Sequence, residues 1–185
     1  MNEQLCIFEG RPEGEQSPRK TACYDFLDSL SIPYKRAEHQ PADTVELCAL
    51  VEALYGQPIC KNLFLCNRQQ TEFYLVVMPG DKKFKTKDVS AQLNTARLSF
   101  ASAAQLEEYL NVLPGSVSIF ALLFDKEKRV HLAVDDELKG QENLLFHPCD
   151  NTATLQVSAA DVFGVFLPAV GHTPAFVTLP REEEA

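Results

Sequence analysis

Two polar clusters, each set against a short apolar run, constrain this chain more than any other feature. The first is Cys60-Lys61-Asn62, which leads straight into Leu63-Phe64-Leu65. The second is Phe146-His147-Pro148, with Asn151-Thr152-Ala153-Thr154 close behind. Lys and Asn are depleted in strands, and Lys is rarely buried without a partner. A Lys that opens an apolar strand can aim its ammonium into a cleft from a rigid edge, which suits an anionic ligand or a developing oxyanion. The plainer alternative is a Lys that snorkels to water from a strand end.

The 185 residues suffice for one domain with a sizeable core, and 45% hydrophobic residues point to a globular fold. The apolar runs are far shorter than a membrane span, and Met1-Asn2-Glu3-Gln4 lacks the basic start of a signal peptide, so a cytoplasmic protein is expected. Six cysteines, at 6, 23, 48, 60, 66 and 149, form no CxxC pair and no zinc-spaced cluster with the four histidines. Reduced core thiols are expected, with no metal and no cofactor. Cys60 alone has a neighbouring ammonium that would lower its pKa.

A net charge of −9 argues against bulk nucleic-acid binding. The charge is uneven, however. Lys82, Lys83, Lys85 and Lys87 fall within six residues around Phe84, while Glu182-Glu183-Glu184 makes an acidic tail over 180–185. Such a patch can grip a phosphate backbone locally, with Lys82, Lys83 and Lys85 as the candidate contacts; it can equally be a solvated loop.

After a polar segment over 1–17, Ser17-Pro18 opens a helix with Tyr24, Leu27 and Leu30 on its apolar face. A short strand is expected over 34–38, then a turn at His39-Gln40-Pro41. Asp43 or Thr44 caps a second helix with Val45, Leu47, Cys48, Val51 and Leu54 as core residues, and Gly56 stops it. Strands over 62–67 and 73–78 flank the turn Arg68-Gln69-Gln70-Thr71. Helices begin near Lys87, Ser102 and Ser158 or Asp161. Further strands are expected over 118–124, 130–134, 144–147 and 154–157. No repeat or linker divides the chain, so residues 1–185 read as one α+β domain with a mixed, mostly antiparallel sheet.

Five short motifs in order carry a resemblance. They are His39-Gln40-Pro41-Ala42, Cys60-Lys61-Asn62-Leu63-Phe64-Leu65, Gly115-Ser116-Val117-Ser118, Phe146-His147-Pro148 with Asn151-Thr152-Ala153-Thr154, and Gly171-His172-Thr173-Pro174. Together they span roughly residues 20 to 180, and the chain resembles the YbaK/prolyl-tRNA-synthetase-associated editing domains, most of all their freestanding PrdX type. The resemblance implies a barrel-like sheet surrounded by helices and deacylation of mischarged alanyl-tRNA(Pro). It places Lys61 at the family's required lysine, with Asn62 beside it. Gly115 and Ser116 open a Gly-x-x-x-Pro substrate loop, and His147 tunes the accepted side chain, with Asn151 and Thr152 nearby. Ile119 stands where that loop's proline belongs. The implied partners are aminoacyl-tRNA(Pro) and, beside it, prolyl-tRNA synthetase, with no membrane.

An aminoacyl ester is already activated toward water, so placement and oxyanion stabilisation matter more than a strong nucleophile. The chain has no Gly-x-Ser-x-Gly elbow and no metal motif, which fits water attack and fits a protease or metallohydrolase poorly. Two other readings stand beside it: a cysteinyl-tRNA(Pro) deacylase of the YbaK type, and a non-catalytic module that binds aminoacyl-tRNA or an amino acid. His39 is as readily a turn residue as a ligand, His131 falls on a solvent face, and His172 secures the C-terminal segment.

Overall fold

A computed structural model describes residues 5–181; the acidic tail over 182–185 and the first four residues lie outside the described residues. Two sheets organise the chain. The first runs in the order β1 (Phe8–Glu9), β2 (Lys35–Glu38), β8 (Ala153–Ser158), β7 (Asn143–Phe146), all antiparallel. The second runs β5 (Ser99–Phe100), β3 (Lys61–Cys66), β4 (Phe73–Met78), β6 (Val130–Asp135), β9 (Ala175–Val177), with β4–β6 and β6–β9 parallel. The α+β class and the mixed, mostly antiparallel pairing hold. The barrel-like expectation does not: both sheets are open. The second ends in edge strands of two and three residues, too short to carry the ladder round to closure.

The two-residue period of a strand sorts side chains into two cores. All six residues of β4 are buried. Phe73, Leu75 and Val77 join Phe64, Leu132, Phe146 and Leu155 in the core shared by the two sheets, while Tyr74, Val76 and Met78 pack with Leu65, Val89 and Leu98 on the outer face. By the same alternation Asn62 falls in line with Phe64, and Lys61 in line with Leu65 on the outer face.

Helix α1 (Pro18–Ser29) starts where Ser17 accepts from the Lys20 amide and Pro18 fills the first helical position. Helix α2 (Val45–Tyr55) is capped by Thr44 and ended by Gly56 in a left-handed conformation. Its expected core is corrected: only Val51 is buried and Val45 is 82% exposed, because the helix meets the domain along one narrow line. The Tyr55 hydroxyl, donating to the Thr154 carbonyl at 3.0 Å, fixes its last turn. Helix α3 (Thr86–Gln92) covers the outer core, and α4 (Ala103–Leu110) opens with a reciprocal Ser102–Gln105 capping box.

The strand expected over 118–124 is a 3-10 helix, Ile119–Leu123, with every residue buried. A five-residue apolar run suits a buried strand or a buried helical turn equally well. Ser118 tips the balance by accepting from the Phe120 amide. The last helix runs from α5 (Ala159–Asp161) through a π-helical turn, Val162–Phe166, into α6 (Leu167–Val170). No helix among the described residues is long and apolar enough to cross a membrane.

Candidate active site

The end of β2, the β7–β8 connection, the loop before α2 and the loop after α4 meet at one place. Backbone bonds join them: the His39 amide donates to Thr152 O at 3.0 Å and the Ala42 amide to Asn151 O at 2.9 Å. Asn151 Nδ2 donates to Asp43 Oδ1 at 2.8 Å. Gly115 lies against this pair, with a φ of +85° that favours glycine; an added Cβ would stand 3.4 Å from Asn151 Nδ2. The loop is anchored without the proline. The Ser116 amide donates to Leu113 O at 3.0 Å, Ser118 caps the following turn, and Ile119 is fully buried.

Two imidazoles line the same region, their ring centres 6.0 Å apart. His147 Nδ1 lies 2.8 Å from Ala153 O and His39 Nδ1 lies 2.8 Å from Gln40 O. A carbonyl oxygen only accepts, so both rings carry their proton on Nδ1. His39 Nε2 then accepts from the Thr154 hydroxyl at 2.9 Å, and His147 Nε2 is left as an acceptor. Burial lowers the pKa of both rings, which keeps them neutral near pH 7.

Beneath them lies a charged network. Lys20, 4% exposed, donates to Glu38 Oε2 at 2.8 Å and to Thr152 Oγ1 at 3.2 Å. Asp150 accepts from the Thr152 amide at 3.0 Å, from its hydroxyl at 2.5 Å and from Ser17 Oγ at 2.8 Å. Burial works to raise the Asp150 pKa, but the hydrogen bonds from Thr152 and Ser17 outweigh it and the carboxyl stays ionised. Sequence motifs pointed to His147, Asn151 and Thr152 but missed Lys20, Glu38 and Asp150. Lys20 looked like one more polar position on α1, and nothing in spacing links residue 20 to residue 152.

Lys61 and Asn62 open β3, whose start is tied to β7 by the Cys60 amide donating to Leu145 O at 3.1 Å. Gly80 allows this start: a Cβ there would stand 2.0 Å from the Ile59 carbonyl oxygen. The half-buried Lys61 ammonium donates to the Lys82 carbonyl, and no carboxylate partners it among the described residues. Asn62 Nδ2 donates to Cys60 O at 3.0 Å, while its Oδ1 is buried and unpaired among the described residues. The pairing of Lys61 with a carbonyl on the outer face, and of Asn62 with the inter-sheet face, separates two residues that adjacency suggested would act side by side. Cys60 is not activated. Burial pushes its thiol up to about 12, so at neutral pH it is a core filler.

The expected phosphate contacts need one correction. Lys82 is buried, its ammonium 2.8 Å from Asp135 Oδ2, 2.8 Å from Leu179 O and 2.9 Å from Glu137 Oε2. Three donors meet three acceptors, and none is left for a phosphate. Lys83, Lys85 and Lys87 are exposed. His131 is exposed beside Tyr74, and the buried His172 lies 3.2 Å from Asp125, holding the C-terminal segment against the turn before β6. No group of three or more His, Cys, Asp or Glu side chains suited to a metal occurs among the described residues.

Comparison with known proteins identifies the family. A profile of aminoacyl-tRNA editing domains matches residues 39–164, a span that holds Lys61, Gly115 and His147. The chain is 36% identical over 143 residues to the prolyl-tRNA editing protein ProX of Acetoanaerobium sticklandii, covering 77% of this chain and 87% of the relative. It is 33% identical over 157 residues to prolyl-tRNA synthetase associated domain-containing protein 1 of Danio rerio, covering 83% and 84%. A crystal structure described as a candidate trans-editing enzyme for prolyl tRNA synthetase superposes with a TM-score of 0.67 over 90% of this chain and 100% of its own. At 14% identity that likeness speaks to the fold alone.

Proposed function

The chain belongs to the aminoacyl-tRNA editing domain family, and from that premise we propose that it is a trans-editing hydrolase that removes alanine from mischarged tRNA(Pro). The observation that carries this reading is Lys61: a half-buried ammonium held by one neutral carbonyl oxygen, with no carboxylate to quench it among the described residues. Its remaining N–H donors suit an oxyanion or a terminal phosphate of the charged tRNA.

The other residues divide the work. Asn62, on the inter-sheet face with its Oδ1 buried and unpaired among the described residues, is a polar group at the substrate side of the strand that Lys61 opens. The loop at Gly115 and Ser116 packs against Asn151 and, together with it and Thr152, forms one wall. His147, neutral and with Nδ1 engaged, presents an acceptor rather than a charge, and bounds the space for the side chain. Water attacks the ester carbonyl, the carbonyl oxygen gains charge beside Lys61, and as the ester carbon–oxygen bond breaks the ribose oxygen takes up the proton released by the attacking water and leaves as the tRNA hydroxyl. An inert Cys60 fits attack by water rather than by a thiolate. A synthetic site built for proline rejects the smaller alanine by only ~1–3 kcal/mol, so a second, smaller pocket is needed for fidelity. The charged tRNA meets the protein away from its acidic bulk, with Lys83 and Lys85 as backbone contacts, and reaches it in the compartment where prolyl-tRNA synthetase works.

The test is deacylation of alanyl-, cysteinyl- and prolyl-tRNA(Pro) by wild type and Lys61→Ala. Alanyl-tRNA(Pro) is hydrolysed by the wild type, prolyl-tRNA(Pro) is spared, and Lys61→Ala loses activity with its melting temperature nearly unchanged. Preference for the cysteinyl ester moves the chain to the other editing branch. Binding without hydrolysis of any ester makes it a non-catalytic module.

A further inference from the structure

We infer that a cleft beside the outer face of the second sheet, lined by Arg68, Lys87 and Arg97 and by no carboxylate among the described residues, is the docking site for the tRNA phosphate backbone. This rests on the tRNA-editing reading above and says where on the molecule the nucleic acid lies.

Two adjoining cavities share Thr86 and Arg97. One, of about 450 Å³, is lined by Thr86, Lys87, Ser90 and Arg97. The other, of about 460 Å³, adds Arg68, Leu98, Ser99 and Phe100. No acidic residue lines either cavity among the described residues, on a chain with 26 carboxylates against 17 Lys and Arg. Arg68, Lys87 and Arg97 are exposed and take part in no ion pair among the described residues, unlike Arg11, Arg19, Lys20, Lys35, Arg36, Lys82, Arg129 and Arg181. Three unquenched cations around a hydroxyl-lined hollow form a phosphate-binding surface, two of them guanidinium forks that match phosphate oxygens in pairs.

An aromatic edge accompanies the charge. Phe100 is 62% exposed at the rim, its ring 6.0 Å from that of Phe84. A large exposed ring beside cations offers a stacking face to a base as well as a grip on its phosphates. The position also fits the chemistry. Phe100 pairs with Leu65 of β3, and Lys61 lies four residues along that strand on the same outer face, roughly 13 Å away. That span is about two nucleotide repeats, so a tRNA gripped at the cleft can bring its end to the ammonium. The cationic cleft replaces Lys82, which is buried, as the main source of attraction on an acidic protein.

The test uses unacylated tRNA(Pro) transcript and measures binding across salt concentrations. The triple variant Arg68→Gln/Lys87→Gln/Arg97→Gln weakens binding about tenfold or more at low salt. Its slope of log K against log salt falls by roughly two to three, one for each lost phosphate contact. A control triple, Lys35→Gln/Lys126→Gln/Lys139→Gln, changes net charge by the same amount at exposed positions outside the cleft and keeps the steep slope. Wild-type binding and slope in the cleft variant, or equal losses in the control, overturn the assignment. Because the readout is binding of uncharged tRNA, failure of the cleft is separable from failure of the deacylase reading, which would show as intact, cleft-dependent binding without ester hydrolysis.

Discussion

Replacing Asp135 by Asn tests the buried ion pair that closes the C-terminal segment over the second sheet. Asp135 is fully buried and Lys82 is 4% exposed, with 2.8 Å between Oδ2 and Nζ. Burial works to lower the Lys82 pKa, but the hydrogen bonds it donates to Asp135 and Glu137 more than offset it, and the net shift is upward. The ammonium is thus fully charged when folded, and Asn leaves it without its buried counter-charge. Losing one partner of a buried pair costs about 3–5 kcal/mol. Glu137 stays 2.9 Å away on a partly exposed side chain, which holds the loss near the lower end, about 3 kcal/mol. At roughly 2–4 °C per kcal/mol for a chain of this size, the melting temperature falls by roughly 6–12 °C. Reversible thermal unfolding followed by circular dichroism measures it. The double variant Lys82→Met/Asp135→Leu should regain most of the loss, since apolar replacement of a whole buried pair is close to neutral. A drop below about 2 °C for Asp135→Asn, or a double variant as unstable as the sum of its singles, refutes the reasoning.

Two further outcomes follow from the site and its charges. His147→Ala should enlarge the side-chain pocket and shift preference from alanyl- toward larger aminoacyl-tRNAs, read as the ratio of kcat/KM values on a common tRNA(Pro); an unchanged ratio removes His147 from the pocket. Hydrogen bonds from Arg181 first, opposed by burial and assisted by Lys82, hold Glu137 near 2 against an ordinary 4.5. A depressed carboxyl pKa stabilises the fold above the unfolded value, and that stability is lost as pH falls from about 4.5 to about 2. Glu137→Gln should therefore flatten the acid limb of a stability–pH curve in that window; an identical limb in the variant counts against the Arg181–Glu137–Lys82 linkage.

What could be read from sequence followed local rules. Ser17-Pro18, Thr44 with Gly56, and Ser102 with Gln105 mark helix ends because caps act within three or four residues. The hairpin of β3 and β4 followed from two apolar runs about a short polar turn. The buried 3-10 helix at Ile119–Leu123 was hidden because length and hydrophobicity do not separate it from a strand. The exposed face of α2 was hidden for a related reason: helical spacing shows which residues share a face, not whether anything covers it. Around the site, motif order located His147, Asn151 and Thr152. The ionic floor joins Lys20 to Glu38, 18 positions away, and to Thr152, 132 positions away, and Ser17 to Asp150, 133 positions away, which no local pattern encodes. The lysine cluster shows the same limit: composition cannot tell that Lys82 turns inward to Asp135 while Lys83, Lys85 and Lys87 stay outside.

The pairing of β2 with β8 also sets a timetable. His39 and Thr154, whose side chains meet in the site, are separated by 115 residues of chain. At ~5–20 residues per second of synthesis, the first waits roughly 6–23 s for the second to leave the ribosome. Until then β2 has its short β1 neighbour on one side and an open edge on the other, in a nascent chain that already carries the apolar β3–β4 hairpin. The paired-histidine region is thus among the last parts of the molecule to form. A chain cut short before β8 keeps Lys61, the Gly115 loop and both imidazoles, but lacks the Ala153 carbonyl and the Thr154 hydroxyl that orient His147 and His39.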